Sequence, residues 1–321
     1  MKNAQQNPIA LAIHGGCGVM NKADMPESDW EAARADLTRA LKAGWALLMQ
    51  GGSALDAVEA AVVVMENSEH FNAGHGAALN TDGVHELDAS IMDGSTGEAG
   101  AVAMTRAIRN PITAARALMH SGETVMLGGA AADAFAKKAG LSMVEQAYFT
   151  TERRIKALAS LKEHAKAGTD AKASEAEKHG TVGAVALDAQ GHLAAATSTG
   201  GFNNKPAGRI GDSAVIGAGT YASDGVVALS GTGKGEFFIR HAVGHEIASR
   251  MRYLGESLTD ACQHVVFTDL APHDIGAGLV AVGADGSITA PYNTAGMFRG
   301  WIDTNGRMFV ATHDEIFETQ A

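Results

Sequence analysis

The sequence predicts an α+β fold in which two β-sheets lie between two layers of helices. Helix and strand patterns share the first half, a polar segment follows, and strands and helices resume in the second half, so each half supplies sheet and helical cover. The 321 residues suffice for one large core, and 46% apolar but only 5% aromatic residues predict an interior of Ala, Val, Leu, Ile and Met. We expect a single globular unit.

The first half is predicted to begin with a strand and a pair of helices. The run PIALAIHGG is short, apolar and closed by a Gly-Gly turn, as is typical of a buried strand. A capping box at Ser28 and Glu31 predicts the start of the first helix, and the glycines at 51–52 predict its end. Ser53 and Asp56 repeat the start signal for a second helix.

A hairpin and two further helices are predicted next. The segments HELDASIMDG and AGAVAMT alternate in the manner of half-buried strands. Helical patterns then extend from Asn110 to about Met119, with a proline in the opening turn, and from Ala130 to Lys138.

The polar segment at 152–180 is predicted to be a flexible linker. Its first part allows a helix, but AKAGTDAKASEAEK has too little apolar surface to offset the entropy of ordering it. Strands resume abruptly at Thr181 with TVGAVALD and HLAAATSTGG, and GLVAVGADGSITAPYNTAG predicts a second hairpin. Helices are predicted between these hairpins, in EFFIRHAVGHEIASRM and SLTDACQHVVF.

Charge and composition argue against several classes of protein. Twenty-five basic and 36 acidic residues give a net charge of −11, so we expect no nucleic-acid partner. The apolar run near the amino terminus is too short for a secretory signal or a membrane span, which predicts a cytoplasmic protein without a membrane partner. Cys17 and Cys262 cannot form a disulfide framework and are expected to be small buried apolar residues.

The abrupt strand start has a chemical explanation if the chain is cut after Gly180. The new α-amino group of Thr181 would have a pKa of about 7.7–8 and would lie within reach of its own hydroxyl, so base and nucleophile would share one residue. Gly180 has no side chain to obstruct attack on its carbonyl, which permits cleavage by an N-to-O acyl shift and ester hydrolysis. Taken alone, the pattern also fits an ordinary strand opener after a turn.

Seven motifs, in this order, resemble those of the plant-type asparaginase and isoaspartyl peptidase family of N-terminal nucleophile hydrolases. They are IHGGCG, FNAGHGAALN, HELDASIMDG, HGTVGAVALD, AATSTGG, GRIGDS and GTGKGE, and the likeness extends from Ile13 to about Met297. The resemblance implies a four-layer αββα sandwich and self-cleavage between Gly180 and Thr181. Residues 1–180 would then be an α subunit and residues 181–321 a β subunit of one globular domain, assembled as an (αβ)2 heterotetramer.

The resemblance also assigns catalytic roles. It implies that Thr181 is the nucleophile, that Thr199 supplies the neighbouring hydroxyl and that Asn72 lies near the scissile bond. Thr232 and Gly233 are expected to form the oxyanion hole, because acyl transfer requires donors aimed at the developing negative charge.

The motifs GRIGDS and GTGKGE are expected to bind the substrate. Arg209 would hold an α-carboxylate with its planar fork, and Asp212 would hold an α-ammonium. The other expected binding positions are Ile210, Gly211, Thr232, Gly233, Lys234 and Gly235. L-Asparagine and β-aspartyl peptides share both charged groups and a side-chain amide, so we expect a hydrolase that releases L-aspartate from either. Lys234 stands where close relatives are expected to have Thr, which leaves the leaving-group preference open.

No cofactor is expected for catalysis. The resemblance implies a structural sodium ion held by backbone carbonyls of the FNAG loop, including those of Phe71 and Ala73. Three alternatives stay open: a glycosylasparaginase-like amidase, disfavoured by the missing secretory signal; an uncleaved aspartate-binding protein with the linker as an insertion; and a zinc-dependent hydrolase. The last would use His241 and His245, four residues apart on one predicted helix.

Overall fold

The computed structural model describes residues 8–18, 20, 22–167 and 180–321. The strands are β1 (Ala10–Gly18), β2 (Leu87–Asp93), β3 (Ala99–Thr105), β4 (Met126–Gly128), β5 (Val182–Leu187), β6 (Leu193–Thr199), β7 (Thr220–Ser223), β8 (Val227–Gly233), β9 (Ala277–Gly283), β10 (Ile288–Thr289), β11 (Gly296–Ile302), β12 (Met308–Ala311) and β13 (Ile316–Thr319). The α-helices are α1 (Glu27–Met49), α2 (Ala54–Glu66), α3 (Pro111–Ser121), α4 (Gly129–Lys138), α5 (Glu152–Ala167), α6 (Gly235–Arg240), α7 (Val243–Ser249) and α8 (Leu258–His264). None of the helices within these described ranges has the length and apolar character needed to cross a membrane.

The strands form a nine-stranded and a four-stranded sheet. The larger has the order β13-β12-β11-β1-β5-β6-β2-β3-β4, and the smaller has the order β10-β9-β8-β7. The three predicted hairpins are confirmed, since β2 pairs antiparallel with β3, β5 with β6, and β9 with β10. The β9–β10 hairpin belongs to the smaller sheet, whereas the β5–β6 hairpin belongs to the larger one.

Each sheet buries one face against helices and the other against its partner sheet. Leu37 of α1 and Val58 of α2 pack on Ile13 and Ile91 of the larger sheet, while Phe238 of α6 belongs to the core of the smaller one. The core between the sheets consists mostly of small and β-branched residues, among them Ala12, Val185, Ala195, Ala228 and Val280. Because strand side chains alternate, a strand in such a stack is apolar on both faces. The predicted αββα fold is confirmed.

The start signals of the first two helices have different outcomes. Ser53 caps α2, and its side chain accepts a hydrogen bond from the backbone N–H of Asp56, as predicted. The capping box at Ser28 and Glu31 is wrong, because α1 begins one residue before that serine. Pro26 already has the extended backbone of an N-cap, and its carbonyl accepts the first helical hydrogen bonds.

Two other predicted segments differ in detail from the structure. The flexible linker predicted over 152–180 is helical in its first part, which forms α5 (Glu152–Ala167), and residues 168–179 lie outside the described part of the chain. The predicted single helix over EFFIRHAVGHEIASRM is wrong. It is divided into α6 and α7 because Ala242 has a left-handed backbone with a φ of 47°.

Candidate active site

Thr181 lies directly before β5, at the edge where this strand meets the end of β6. The antiparallel register pairs Val182 with Ser198, so residues 181 and 199 are neighbours. The Oγ1 atoms of Thr181 and Thr199 are 3.1 Å apart, and both residues are buried. The strand pairing therefore brings together the two hydroxyls that the motifs single out.

The carbonyl oxygen of Gly180 is the centre of a hydrogen-bond cluster. It accepts from Asn72 Nδ2 at 2.9 Å and from Thr199 Oγ1 at 3.1 Å, and Thr181 Oγ1 lies 2.8 Å from it. Donors placed on a carbonyl oxygen stabilise the negative charge that develops there when a nucleophile attacks the carbon. The peptide bond between residues 180 and 181 is thus polarised, with a hydroxyl beside it.

The conformation at Gly180 requires glycine. Its φ is +151°, and a Cβ added there would lie 2.9 Å from Cβ of Asn72. Asn72 itself is fixed, because its Oδ1 accepts from the backbone of Ala78 at 2.7 Å and its Nδ2 also donates to the carbonyl of Gly201 at 2.6 Å. The loop after α2 therefore fixes the asparagine against the peptide bond between residues 180 and 181.

The hydroxyl of Thr181 opens onto a small cleft that contains the predicted substrate-binding pair. Its lining residues are Gly180, Thr181, Thr199, Gly201, Phe202, Arg209, Asp212, Ser213 and Gly233. Arg209 lies over the Phe202 ring, 4.9 Å from its centroid, and donates from Nε to Glu236 at 3.0 Å. The residues that carry a guanidinium and a carboxylate thus line the same cleft as Thr181.

Asp212 is an unusual carboxylate. It is only 5% exposed, and its Oδ2 has no hydrogen-bond partner among the described residues. Burial raises the pKa of its carboxyl to about 7, although the charge of Arg209 opposes that shift. A buried acceptor without a partner is costly, so this oxygen favours a ligand with a hydrogen-bond donor.

The remaining predicted binding residues occupy distinct positions. Gly235 abuts the carboxylate of Asp212, since a Cβ at 235 would lie 2.4 Å from Oδ1. The N–H of Gly211 donates away from the cleft to Asp88 Oδ2 at 3.1 Å, and Ile210 is 38% exposed. Lys234 places its ammonium 5.5 Å from the centroid of the Phe202 ring.

The two predicted oxyanion-hole residues differ in their surroundings. Gly233 lines the cleft. Thr232 is buried, and its Oγ1 accepts from the backbone N–H of Cys17 at 3.3 Å across the two sheets. Cys17 and Cys262 are both free and buried, as expected, and burial raises the pKa of the Cys17 thiol to about 12.

Three residues of the site were not predicted. Phe202 supplies the ring under Arg209 and follows TSTGG directly, Glu236 ends the motif GTGKGE, and Gly16 lies in IHGGCG. A Cβ on Gly16 would be 3.0 Å from the nitrogen of Thr181, so β1 also contacts the peptide bond between residues 180 and 181. All three lie in or beside quoted motifs, which was the available signal.

The residues considered for metal binding are placed as follows. Phe71 and Ala73 are buried, and neither carbonyl oxygen accepts a hydrogen bond from any described residue. His241 and His245 lie on either side of the break at Ala242. His241 packs against the ring of His273, whereas Nδ1 of His245 is 3.3 Å from the hydroxyl of Ser249. The helical spacing that suggested a zinc pair is therefore absent.

Comparison with known proteins supports the motif resemblance. The protein-family model described as asparaginase matches residues 7–311. The chain belongs to the plant-type asparaginase and isoaspartyl peptidase family.

Similar relatives over most of the chain come from bacteria and from a plant. The chain is 43% identical over 298 residues to the isoaspartyl peptidase of Salmonella typhimurium, covering 92% of this chain and 95% of the relative. It is 44% identical over 294 residues to the isoaspartyl peptidase of Escherichia coli, covering 91% and 92%. It is 38% identical over 324 residues to the probable isoaspartyl peptidase/L-asparaginase 2 of Arabidopsis thaliana, covering 94% and 98%. The family predicted from the motifs is confirmed.

Proposed function

We propose that the protein is an autoprocessing threonine hydrolase that releases L-aspartate from β-aspartyl (isoaspartyl) dipeptides and from L-asparagine. One observation carries the proposal: the Thr181 hydroxyl, beside a polarised peptide bond, shares a cleft with Arg209 and Asp212. The relatives that are named isoaspartyl peptidase or L-asparaginase support the substrate class.

Self-cleavage is the first step. Oγ of Thr181 attacks the carbonyl carbon of Gly180 while Asn72 and Thr199 stabilise the oxyanion. The C–N bond breaks, the hydroxyl proton ends on the departing nitrogen, and the chain is held by an ester. Water then hydrolyses the ester, which leaves a carboxylate on Gly180 and both a free amine and a hydroxyl on Thr181.

Substrate hydrolysis uses the groups that cleavage releases. The neutral α-amine takes the hydroxyl proton, and Oγ attacks the side-chain amide carbon of a substrate held by Arg209 and Asp212. Thr232 and Gly233 stabilise the oxyanion. Ammonia or an amino acid leaves with a proton, and water hydrolyses the acyl-enzyme to release L-aspartate.

Further parts of the proposal rest on the family resemblance. They are an (αβ)2 heterotetramer and a structural sodium ion; the proposed cytoplasmic location rests instead on the short apolar run near the amino terminus. The buried carbonyl oxygens of Phe71 and Ala73 would hold that ion. Its chemistry would be structural: a fixed charge that orders the loop carrying Asn72.

Replacing the nucleophile tests the function. We expect Thr181→Ala to stay a single polypeptide and to release no aspartate from L-asparagine or β-aspartyl-leucine. The control Thr38→Ala, on α1, should be cleaved and should release aspartate like the wild type. Cleavage or turnover by Thr181→Ala would contradict the proposal. An intact wild-type chain that binds aspartate without turnover would support the binding-protein alternative, and loss of activity with a chelator would support a zinc-dependent hydrolase.

A further inference from the structure

We propose that Lys234 forms a subsite for the carboxylate of the leaving group, so that the enzyme favours β-aspartyl dipeptides with a free C-terminal carboxylate. This inference rests on the proposed function of the cleft. It adds a recognition element for the part of the substrate that Arg209 and Asp212 do not hold.

The position of Lys234 is fixed by the fold. It follows Gly233, which lines the cleft, and it is the N-cap residue of α6. Its backbone N–H donates to the carbonyl of Gly276 at 3.1 Å. The half-buried side chain brings its ammonium to 5.5 Å from the centroid of the Phe202 ring, which is part of the cleft wall.

The ammonium of Lys234 is available to a ligand. Within the described ranges it makes no hydrogen bond and no ion pair, and the ring of Phe202 is its close contact. Arg209, which shares that ring, is already paired with Glu236. Burial alone would raise the pKa of the Glu236 carboxyl, but the hydrogen bond from Arg209 and the charges of Arg209 and Lys234 outweigh it and lower the pKa. Lys234 therefore contributes positive potential to this end of the cleft.

Lys234 changes the net charge of the side chains around the cleft. Arg209 carries one positive charge, and Asp212 and Glu236, when ionised, carry two negative charges. Without Lys234 the group would have a net charge of −1 and would repel an anionic leaving group; with it the group is neutral. L-Asparagine releases ammonia, whereas a β-aspartyl dipeptide releases an amino acid whose carboxylate benefits from this cation.

The chemistry of the leaving group places its carboxylate near the lysine. In the departing amino acid the carboxylate carbon is two bonds from the scissile nitrogen. That nitrogen is bound to the carbon whose oxyanion Gly233 is proposed to stabilise, and Lys234 is the next residue. The four-carbon stem of a lysine lets its ammonium adjust to carboxylates on different amino acids.

A cycle of enzyme and substrate changes tests the subsite. We would measure kcat/KM for β-aspartyl-leucine and for β-aspartyl-leucinamide, which differ in the leaving-group carboxylate, with wild type, Lys234→Met, Lys234→Arg and Lys42→Met. Lys42 is an exposed residue of α1 and controls for the loss of one positive charge. The ratio of kcat/KM for β-aspartyl-leucine to kcat/KM for β-aspartyl-leucinamide should be about ten in the wild type and in Lys42→Met. It should be near one in Lys234→Met and largely restored in Lys234→Arg.

Two outcomes would overturn the inference: a wild-type ratio near one, or a ratio that Lys234→Met leaves unchanged. These results differ from failure of the proposed function. If the wild type releases aspartate from neither dipeptide nor from L-asparagine, the hydrolase proposal fails. If it hydrolyses them all without regard to the leaving-group carboxylate, only the lysine subsite fails.

Discussion

The cleft has a cleavage end, formed by Gly180, Thr181, Asn72 and Thr199, and a clamp end, formed by Arg209, Asp212 and Glu236. The two ends differ in how many of their polar atoms have a hydrogen-bond partner in the protein. At the cleavage end, the carbonyl of Gly180 has its donors, and Asn72 uses both side-chain polar atoms. At the clamp end, Asp212 Oδ2 and Glu236 Oε2 are buried without a partner in the described part of the chain. Such an atom costs about 1–3 kcal/mol. The chain therefore completes the cleavage end by itself, whereas the clamp end gains stability from a ligand.

This difference separates two activities within one small site. Variants at the cleavage end should change the rate at which the chain is cut, and variants at the clamp end should change substrate affinity in protein that is already cut. A variant that disturbed both equally would mean that the two ends act as one unit.

Among variants that keep Thr181, the largest effect is expected at Asn72. Asn72→Asp keeps the oxygen that accepts from Ala78 but removes the donor to Gly180, and losing one oxyanion donor costs about 100- to 1,000-fold in rate. We expect cleavage, followed by denaturing gel electrophoresis over time, to slow by that factor. Asn72→Ala should be at least as slow. Cleavage of both variants at the wild-type rate would contradict the proposed role of Asn72 in stabilising the oxyanion at Gly180.

Asp212→Asn should affect the clamp end selectively. The neutral amide loses the charge-assisted bond to the substrate ammonium, so kcat/KM for β-aspartyl-leucine should fall by about 100-fold. The chain should still be cut at the wild-type rate. Asp82→Asn, an exposed position, is the matched control. Equal loss of cleavage and turnover in Asp212→Asn would break the separation of the two ends.

The raised pKa of Asp212 gives a pH dependence. Because burial raises this pKa to about 7, the carboxyl is protonated in more acidic solution and can no longer attract an ammonium. The inhibition constant of L-aspartate should therefore rise by about tenfold for each pH unit below about 7 and level off above it. Asp212→Asn should remove this dependence. A constant that is flat from pH 5 to pH 8 in the wild type would contradict the assignment.

The smallest effect is expected at Ser53, the N-cap of α2, which is not among the lining residues of the cleft. Ser53→Ala removes the bond to the N–H of Asp56 and should lower the free energy of unfolding by about 1 kcal/mol. Cleavage and turnover should be unchanged, as judged from thermal unfolding and activity of the same preparation. A large fall in either activity would show that stability, and not local chemistry, accounts for the other variants.

Local signals in the sequence predicted elements that depend on a helix cap or on the alternation of apolar and polar residues. The serine cap of α2 and the β2–β3 hairpin are examples. The start of α1 and the break at Ala242 were wrongly predicted, because a proline cap competed with a capping box and an alanine, not a glycine, adopts the left-handed conformation. The pattern of residue types does not predict where α1 starts or that Ala242 is left-handed, because tertiary packing determines both.

In the site, too, some features were predicted from the sequence and others were not. Its motifs named Thr181, Thr199, Arg209 and Asp212, and the structure brings these four side chains into one cleft. The contact between Thr232 and Cys17 and the pair of Arg209 with Glu236 depend on how the sheets and loops pack. Long-range contacts of this kind leave no local pattern, so the sequence could not predict them.

The identity of the first residue of the smaller polypeptide in an active preparation tests the central claim most directly. The account predicts two polypeptides, and amino-terminal sequencing of the smaller should begin with Thr181, Val182 and Gly183. Full turnover by an uncut chain, or a smaller polypeptide that begins at any other residue, would contradict it.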